Sequence, residues 1–130
     1  MAEQSNKRVA LVGHCGADNA YLRMAVSGAM KGLSVVSADD DAELRRVLDD
    51  GASLVLVNRV LDYGFGTEEG VELIRMLRAS HPDVKTMLVS NYPEAQHAAE
   101  KAGALPGFGK REIGSPRVKE MIREAVGDGK

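Results

Sequence analysis

The chain has 130 residues, 44% of them hydrophobic and 28% charged, which fits one soluble globular domain. Its 17 Lys and Arg against 19 Asp and Glu leave a net charge of −2 and no basic footprint for nucleic acid, and an aromatic content of 4% without Trp offers few platforms for stacking bases. One cysteine, Cys15, excludes an internal disulfide scaffold, and uncharged apolar runs such as Ser53 to Val57 are far too short to span a bilayer. The stretch Met1 to Arg8 is polar and lacks the apolar core of a secretory signal, so a cytoplasmic location is expected.

Taken in chain order, short apolar runs alternate with helical spacing. Val9-Ala10-Leu11-Val12 reads as a strand buried on both faces, and Leu22, Ala25, Val26 and Ala29 then mark one face of a helix. Leu33-Ser34-Val35-Val36 is a second strand, followed by helical Leu44, Val47 and Leu48. Leu54-Val55-Leu56-Val57 is a third, followed by Val71, Ile74 and Leu77, with Glu72, Arg75 and Arg78 on the opposite side. Met87-Leu88-Val89 is a fourth, and Pro93 suits the first turn of the next helix. A fifth strand is expected near Pro106 to Lys110. Its Gly107-Phe108-Gly109 has poor strand propensity, and its place in the alternation is what argues for it. The last helix starts at Pro116, capped by Ser115, and places Val118, Met121, Ile122 and Ala125 on one face. Five strand–helix units predict an α/β, doubly wound (βα)5 fold with a parallel five-stranded sheet. The whole chain, 1–130, reads as a single domain with its core at about residues 7–126.

In such sheets ligands bind beyond the carboxyl ends of the strands. Gly13-His14-Cys15-Gly16 follows the first strand here, Asn58 the third, Ser90-Asn91 the fourth, and Lys110 ends the fifth. With Leu54-Val-Leu-Val-Asn58, Gly70-Val-Glu-Leu73, Met87-Leu-Val-Ser90 and Ala102-Gly-Ala104 in that order and spacing, the chain resembles the receiver domain of two-component response regulators from about Lys7 to Val126. The resemblance implies a flavodoxin-like fold and a strand-end phosphorylation pocket. In the family an acidic pair holds Mg²⁺, an Asp accepts the phosphoryl group, and a Ser or Thr and a Lys contact its oxygens. A hard cation needs carboxylate oxygens, and phosphoryl transfer needs its charge neutralised.

Ser90 and Lys110 match that pattern, whereas Gly13 and His14 occupy the acidic-pair positions and Asn58 that of the acceptor. Gly107 stands where the family carries a switch aromatic, Arg111 replaces the usual Pro, and the loop from Asn58 to Gly70 is longer than the family's. The pattern therefore implies an atypical pseudo-receiver with a degenerate pocket of Gly13, His14, Asn58, Ser90 and Lys110, no catalysis, no metal and no cofactor.

The expected function is a signalling module acting through phosphorylation-independent protein–protein contact with another signalling protein, a kinase or an output protein. The domain itself is expected to be a monomer or weak homodimer that binds no nucleic acid and no membrane. Tyr63 and Phe65, aromatic residues on the long loop, are the expected partner contacts, with a lid over the pocket as their other role. A small-molecule or anion sensor built on His14, Asn58, Ser90 and Lys110 is the alternative. His14-Cys15 lacks the four ligands of a structural zinc site, and neighbouring residues at a strand end point apart, which disfavours a Cys–His nucleophile.

Overall fold

The structure, a computed structural model, describes residues 7–61 and 64–127. The four β-branched runs form β1 (Arg8–Val12), β2 (Ser34–Ala38), β3 (Leu54–Asn58) and β4 (Lys85–Val89), and the weak fifth segment forms β5 (Leu105–Phe108). All pair in parallel in one sheet ordered β2-β1-β3-β4-β5. Five helices connect or follow them: α1 (Gly16–Ala29), α2 (Asp41–Asp50), α3 (Gly70–Ser80), α4 (Pro93–Ala102) and α5 (Pro116–Val126).

Strand side chains alternate between two cores. Val9, Leu11, Leu54, Leu56, Met87 and Val89 pack with Leu22 and Val26 of α1 and Val118 and Ile122 of α5. Ala10, Val12, Val55, Val57 and Leu88 pack on the other face with Leu44 of α2, Leu73 and Ile74 of α3, and Ala99 of α4. Leu22, Ile74 and Ile122 have no exposed surface, and burying each such side chain stabilises the fold by about 1.5–3 kcal/mol. The doubly wound fold read from the sequence is the fold observed.

Strand boundaries differ from expectation: β1 starts one residue earlier, at Arg8, and β3 includes Asn58. β2 starts one residue later and runs on through Ser37 and Ala38, which pair with Leu11 and Val12; an edge strand tolerates the polar Ser37. β4 begins at Lys85, whose backbone pairs with Leu54 while its side chain stays exposed. β5 lies earlier, at Leu105–Phe108, and Lys110 opens a short 3₁₀ turn instead of ending the strand. Pro93 and Pro116 do sit in first helical turns, and the Ser115 hydroxyl accepts from the Val118 N–H.

The chain leaves β1 for β2 on one side and returns to β3 on the other. The carboxyl ends of β1 and β3 therefore flank the crevice where this architecture places ligands.

Candidate functional site

Gly13 leaves β1 with φ +77°, a left-handed conformation that side-chain-bearing residues rarely adopt. A Cβ placed on it would stand 2.5 Å from Cδ2 of Leu61, a buried residue of the loop after β3. The first position of the expected acidic pair is thus closed both by backbone geometry and by an apolar side chain.

The turn at Gly13 carries His14 inward until it is 9% exposed. Its Nε2 lies 2.8 Å from the Leu56 carbonyl oxygen, which can only accept, so Nε2 carries the proton. Burial is the main cause that lowers the His14 pKa, and the positive charge of Lys110 adds to it; the Leu56 hydrogen bond and the charges of Asp18 and Asp39 act in the opposite direction. The ring is neutral at pH 7, and its buried Nδ1 has no partner among the described residues. Cys15, by contrast, is exposed at the N-cap of α1, where its side chain makes no capping bond to the helix backbone and hydrogen-bonds Asp18, so the two neighbours face different surroundings.

Asn58 ends β3. Its Nδ2 donates to the Gly13 carbonyl at 3.0 Å and to the Val60 carbonyl at 2.8 Å. Two acceptors facing one end of the amide fix which end is nitrogen, because the flipped amide would set oxygen against oxygen. A carboxylate at this position would meet the same repulsion. The other end, Oδ1, is buried and unpartnered among the described residues.

Ser90, 4% exposed, follows β4, and its hydroxyl oxygen accepts from the Tyr92 N–H at 3.1 Å. Lys110 Nζ lies 3.0 Å from Asp18 Oδ2. That hydrogen bond is the leading cause holding the Asp18 carboxyl below the usual aspartate range; burial opposes it. Arg59 stacks its guanidinium 4.5 Å from the centre of the Tyr92 ring. Together Asn58, Arg59, Val60, Ser90, Asn91, Tyr92 and Lys110 line a cavity of about 270 Å³. His14 opens instead on a separate depression with Asn19, Arg23, Ser37 and Asp39.

The fold thus gathers Asn58, Ser90 and Lys110 as expected and sets His14 and Gly13 behind them. It does not support an exposed Phe65. That residue is 7% exposed and belongs to the core cluster of Leu44, Leu73 and Leu77, so it is neither a surface contact nor part of the cavity lining. The physical reason is that the loop lies against the start of α2, where the Asp41 N–H donates to the Gly64 carbonyl at 2.9 Å. Tyr63 lies outside the described residues.

Arg59 and Tyr92 form the rim, and Asp18 forms the ion pair. The sequence did not single out the first two. The available signal for Arg59 and Tyr92 was their position: each lies within three residues of a strand end.

The residues do not fit the Mg²⁺ that the receiver resemblance implies. Gly13 has no room for a carboxylate, and the His14 ring is held by Leu56. The nearby Asp18 carboxylate is paired with Lys110. No cluster of three or more His, Cys, Asp or Glu able to hold a metal occurs among the described residues. Among those residues, no helix is long and apolar enough to cross a membrane.

No protein-family model and no curated protein matches the chain. Solved structures do. The RcsB response regulator of Salmonella typhimurium is similar with a TM-score of 0.74 and 14% identity, over 93% of this chain and 60% of that one. NtrX from Brucella abortus matches with a TM-score of 0.73 and 18% identity, over 92% of this chain and 27% of that one. A response regulator from Thermotoga maritima matches with a TM-score of 0.71 and 23% identity, over 94% of this chain and 98% of that one. The chain therefore spans 60% of the RcsB chain and about a quarter of the NtrX chain. At these identities the likeness is one of architecture: the chain has the flavodoxin-like α/β fold of response-regulator receiver domains.

Proposed function

We propose that the domain is a receiver-like signalling module that works by protein–protein contact and without phosphorylation, binding another signalling protein such as a kinase or an output protein. The observation that carries this reading is the Asn58 amide, whose nitrogen is committed to the Gly13 and Val60 carbonyls. An amide there cannot form an acyl phosphate, and its hydrogen bonds tie the loop after β3 to the end of β1. The Lys110–Asp18 pair supports the reading further, because the lysine's charge is already balanced within the domain. The module has no catalytic role, and a cytoplasmic setting suits it.

The test is incubation of the purified protein with acetyl phosphate and Mg²⁺, followed by intact-mass spectrometry. No gain in mass is expected. A gain of one phosphate that depends on Mg²⁺ would refute phosphorylation independence. Quantitative binding to candidate kinases and output proteins, with and without that treatment, is expected to be the same.

A second reading, a sensor of a small anion, is favoured by one feature: among the described residues, the cavity lining contains Arg59 and Lys110 and no carboxylate. A ligand that binds only the folded state raises the melting temperature, so a thermal shift with inorganic phosphate or acetate at millimolar concentration separates the two readings.

A further inference from the structure

The helix α4 has little apolar surface with which to hold its place. Its buried residues are Ala99 and Ala102, and each methyl removes only a small area from water. What ties it to the sheet is Gln96. The side-chain Nε2 donates to the carbonyls of Leu88 at 2.9 Å, Ser90 at 3.1 Å and Phe108 at 3.3 Å, and Oε1 accepts from the Gly107 N–H at 3.2 Å. One amide thus spans both β4 and β5.

It does so where the sheet is broken. β4 and β5 pair at Met87 with Leu105 and at Val89 with Phe108, so Pro106 and Gly107 together oppose Leu88. Pro106 has no N–H to give, and the Gly107 N–H and Leu88 carbonyl are held by the Gln96 side chain. A primary amide offers a donor and an acceptor as a peptide unit does, so it stands in for the missing ladder. Only one orientation of the amide works, since three carbonyls face one end and an N–H faces the other. Glycine at 107 is required for the fit. A Cβ there would lie 2.1 Å from the Leu88 oxygen and 2.8 Å from Gln96 Oε1.

We propose that Gln96 is a built-in latch: its side-chain amide completes the interrupted β4–β5 ladder and clamps α4 to it, so that α4 and the strand end at Ser90 move as one rigid unit. The α4 surface then keeps a single conformation whatever happens in the strand-end cavity. This accounts for a module read without phosphorylation, yet it rests on the geometry alone. It therefore stands or falls separately from the acetyl phosphate experiment.

Native-state hydrogen exchange on the full chain tests it. In the wild-type protein, the Gly107 amide and the α4 amides are expected to exchange as slowly as Leu11 and Leu56 in the central strands, opening only with global unfolding. In Gln96→Leu and Gln96→Glu, protection at Gly107 and along α4 is expected to fall about ten- to a hundredfold relative to Leu11 and Leu56. Wild-type exchange at Gly107 about tenfold or more faster than at Leu11 would overturn the proposal even if neither variant folds. So would variants that lose protection evenly over the whole sheet, or that keep it at Gly107.

Discussion

The side-chain nitrogen of Asn58 donates to the carbonyl of Gly13 across the crevice between β3 and β1, at 3.0 Å. A second bond from the same nitrogen reaches Val60 at 2.8 Å, so the amide holds the loop after β3 against the turn after β1. The position that marks a phosphoacceptor in receivers is here a structural tie.

Asn58→Asp should therefore be destabilising and still inactive. Its carboxylate loses two donated bonds and faces two carbonyl oxygens, a cost of about 1–3 kcal/mol for a partly buried group. Urea denaturation should show the lower midpoint, and intact-mass spectrometry after acetyl phosphate and Mg²⁺ should show an unmodified chain. A variant as stable as wild type, or one carrying a phosphate, would contradict this account.

Restoring the first acidic residue meets a different obstacle. Gly13→Asp places a Cβ against Leu61 at a φ of +77°, so steric overlap and backbone strain act together. The strain alone costs about 1–2 kcal/mol. Adding Leu61→Ala should relieve the overlap and leave the strain, giving the pair a smaller loss than the two single losses summed. Additive losses in a double-mutant cycle would show that Leu61 does not close this position.

Phe65→Ala removes a buried ring from the core beneath α2, α3 and α4. A loss of about 3 kcal/mol is expected, visible as a lower melting temperature. Partner binding should weaken only as far as the folded fraction falls. Full stability with lost binding would return Phe65 to the surface role that the sequence suggested.

The contrast between Phe65 and Ile74 shows what the sequence could convey. Ile74 belongs to a helical repeat with Val71 and Leu77, so its burial follows from periodicity. Phe65 sits in a glycine-rich loop without any period, and its burial depends on where the loop folds back on α2. The convergence of Asn58, Ser90 and Lys110 beyond the carboxyl ends of the strands was equally legible, because parallel sheet topology brings the segments after the strands together. Their partners were not. That Lys110 pairs with Asp18, or that Gln96 reaches Gly107, depends on side-chain reach between elements far apart in the chain. The earlier position of β5 had a similar origin, since the amide of Gln96 supplies pairing that strand propensity could not reveal.

His14 gives the domain a specific dependence on pH. Burial lowers its pKa from the ordinary 6.5, with the charge of Lys110 adding to the effect, so the folded ring resists a proton that the unfolded chain accepts. As pH falls below 6.5 the unfolded state binds more protons than the folded state, and stability drops until the folded pKa is reached. Above 6.5 both states are neutral and the effect vanishes. Asp18 acts in a lower window: its carboxyl is held down chiefly by Lys110, so its stabilising contribution is present above the ordinary 3.8 and is lost as pH falls through the folded value. Unfolding midpoints in urea between pH 8 and pH 5 should decline for the wild type. His14→Gln, which keeps a donor for the Leu56 carbonyl but cannot titrate, should flatten that decline and leave the acid limb below pH 4 in place. Lys110→Met should do the reverse. It should lower stability at neutral pH and shrink the Asp18 part of the acid limb, since the partner that depresses that carboxyl is gone, while the burial-driven decline from His14 persists. Parallel curves for the wild type and His14→Gln from pH 8 to pH 5 would mean that the buried ring does not set this dependence.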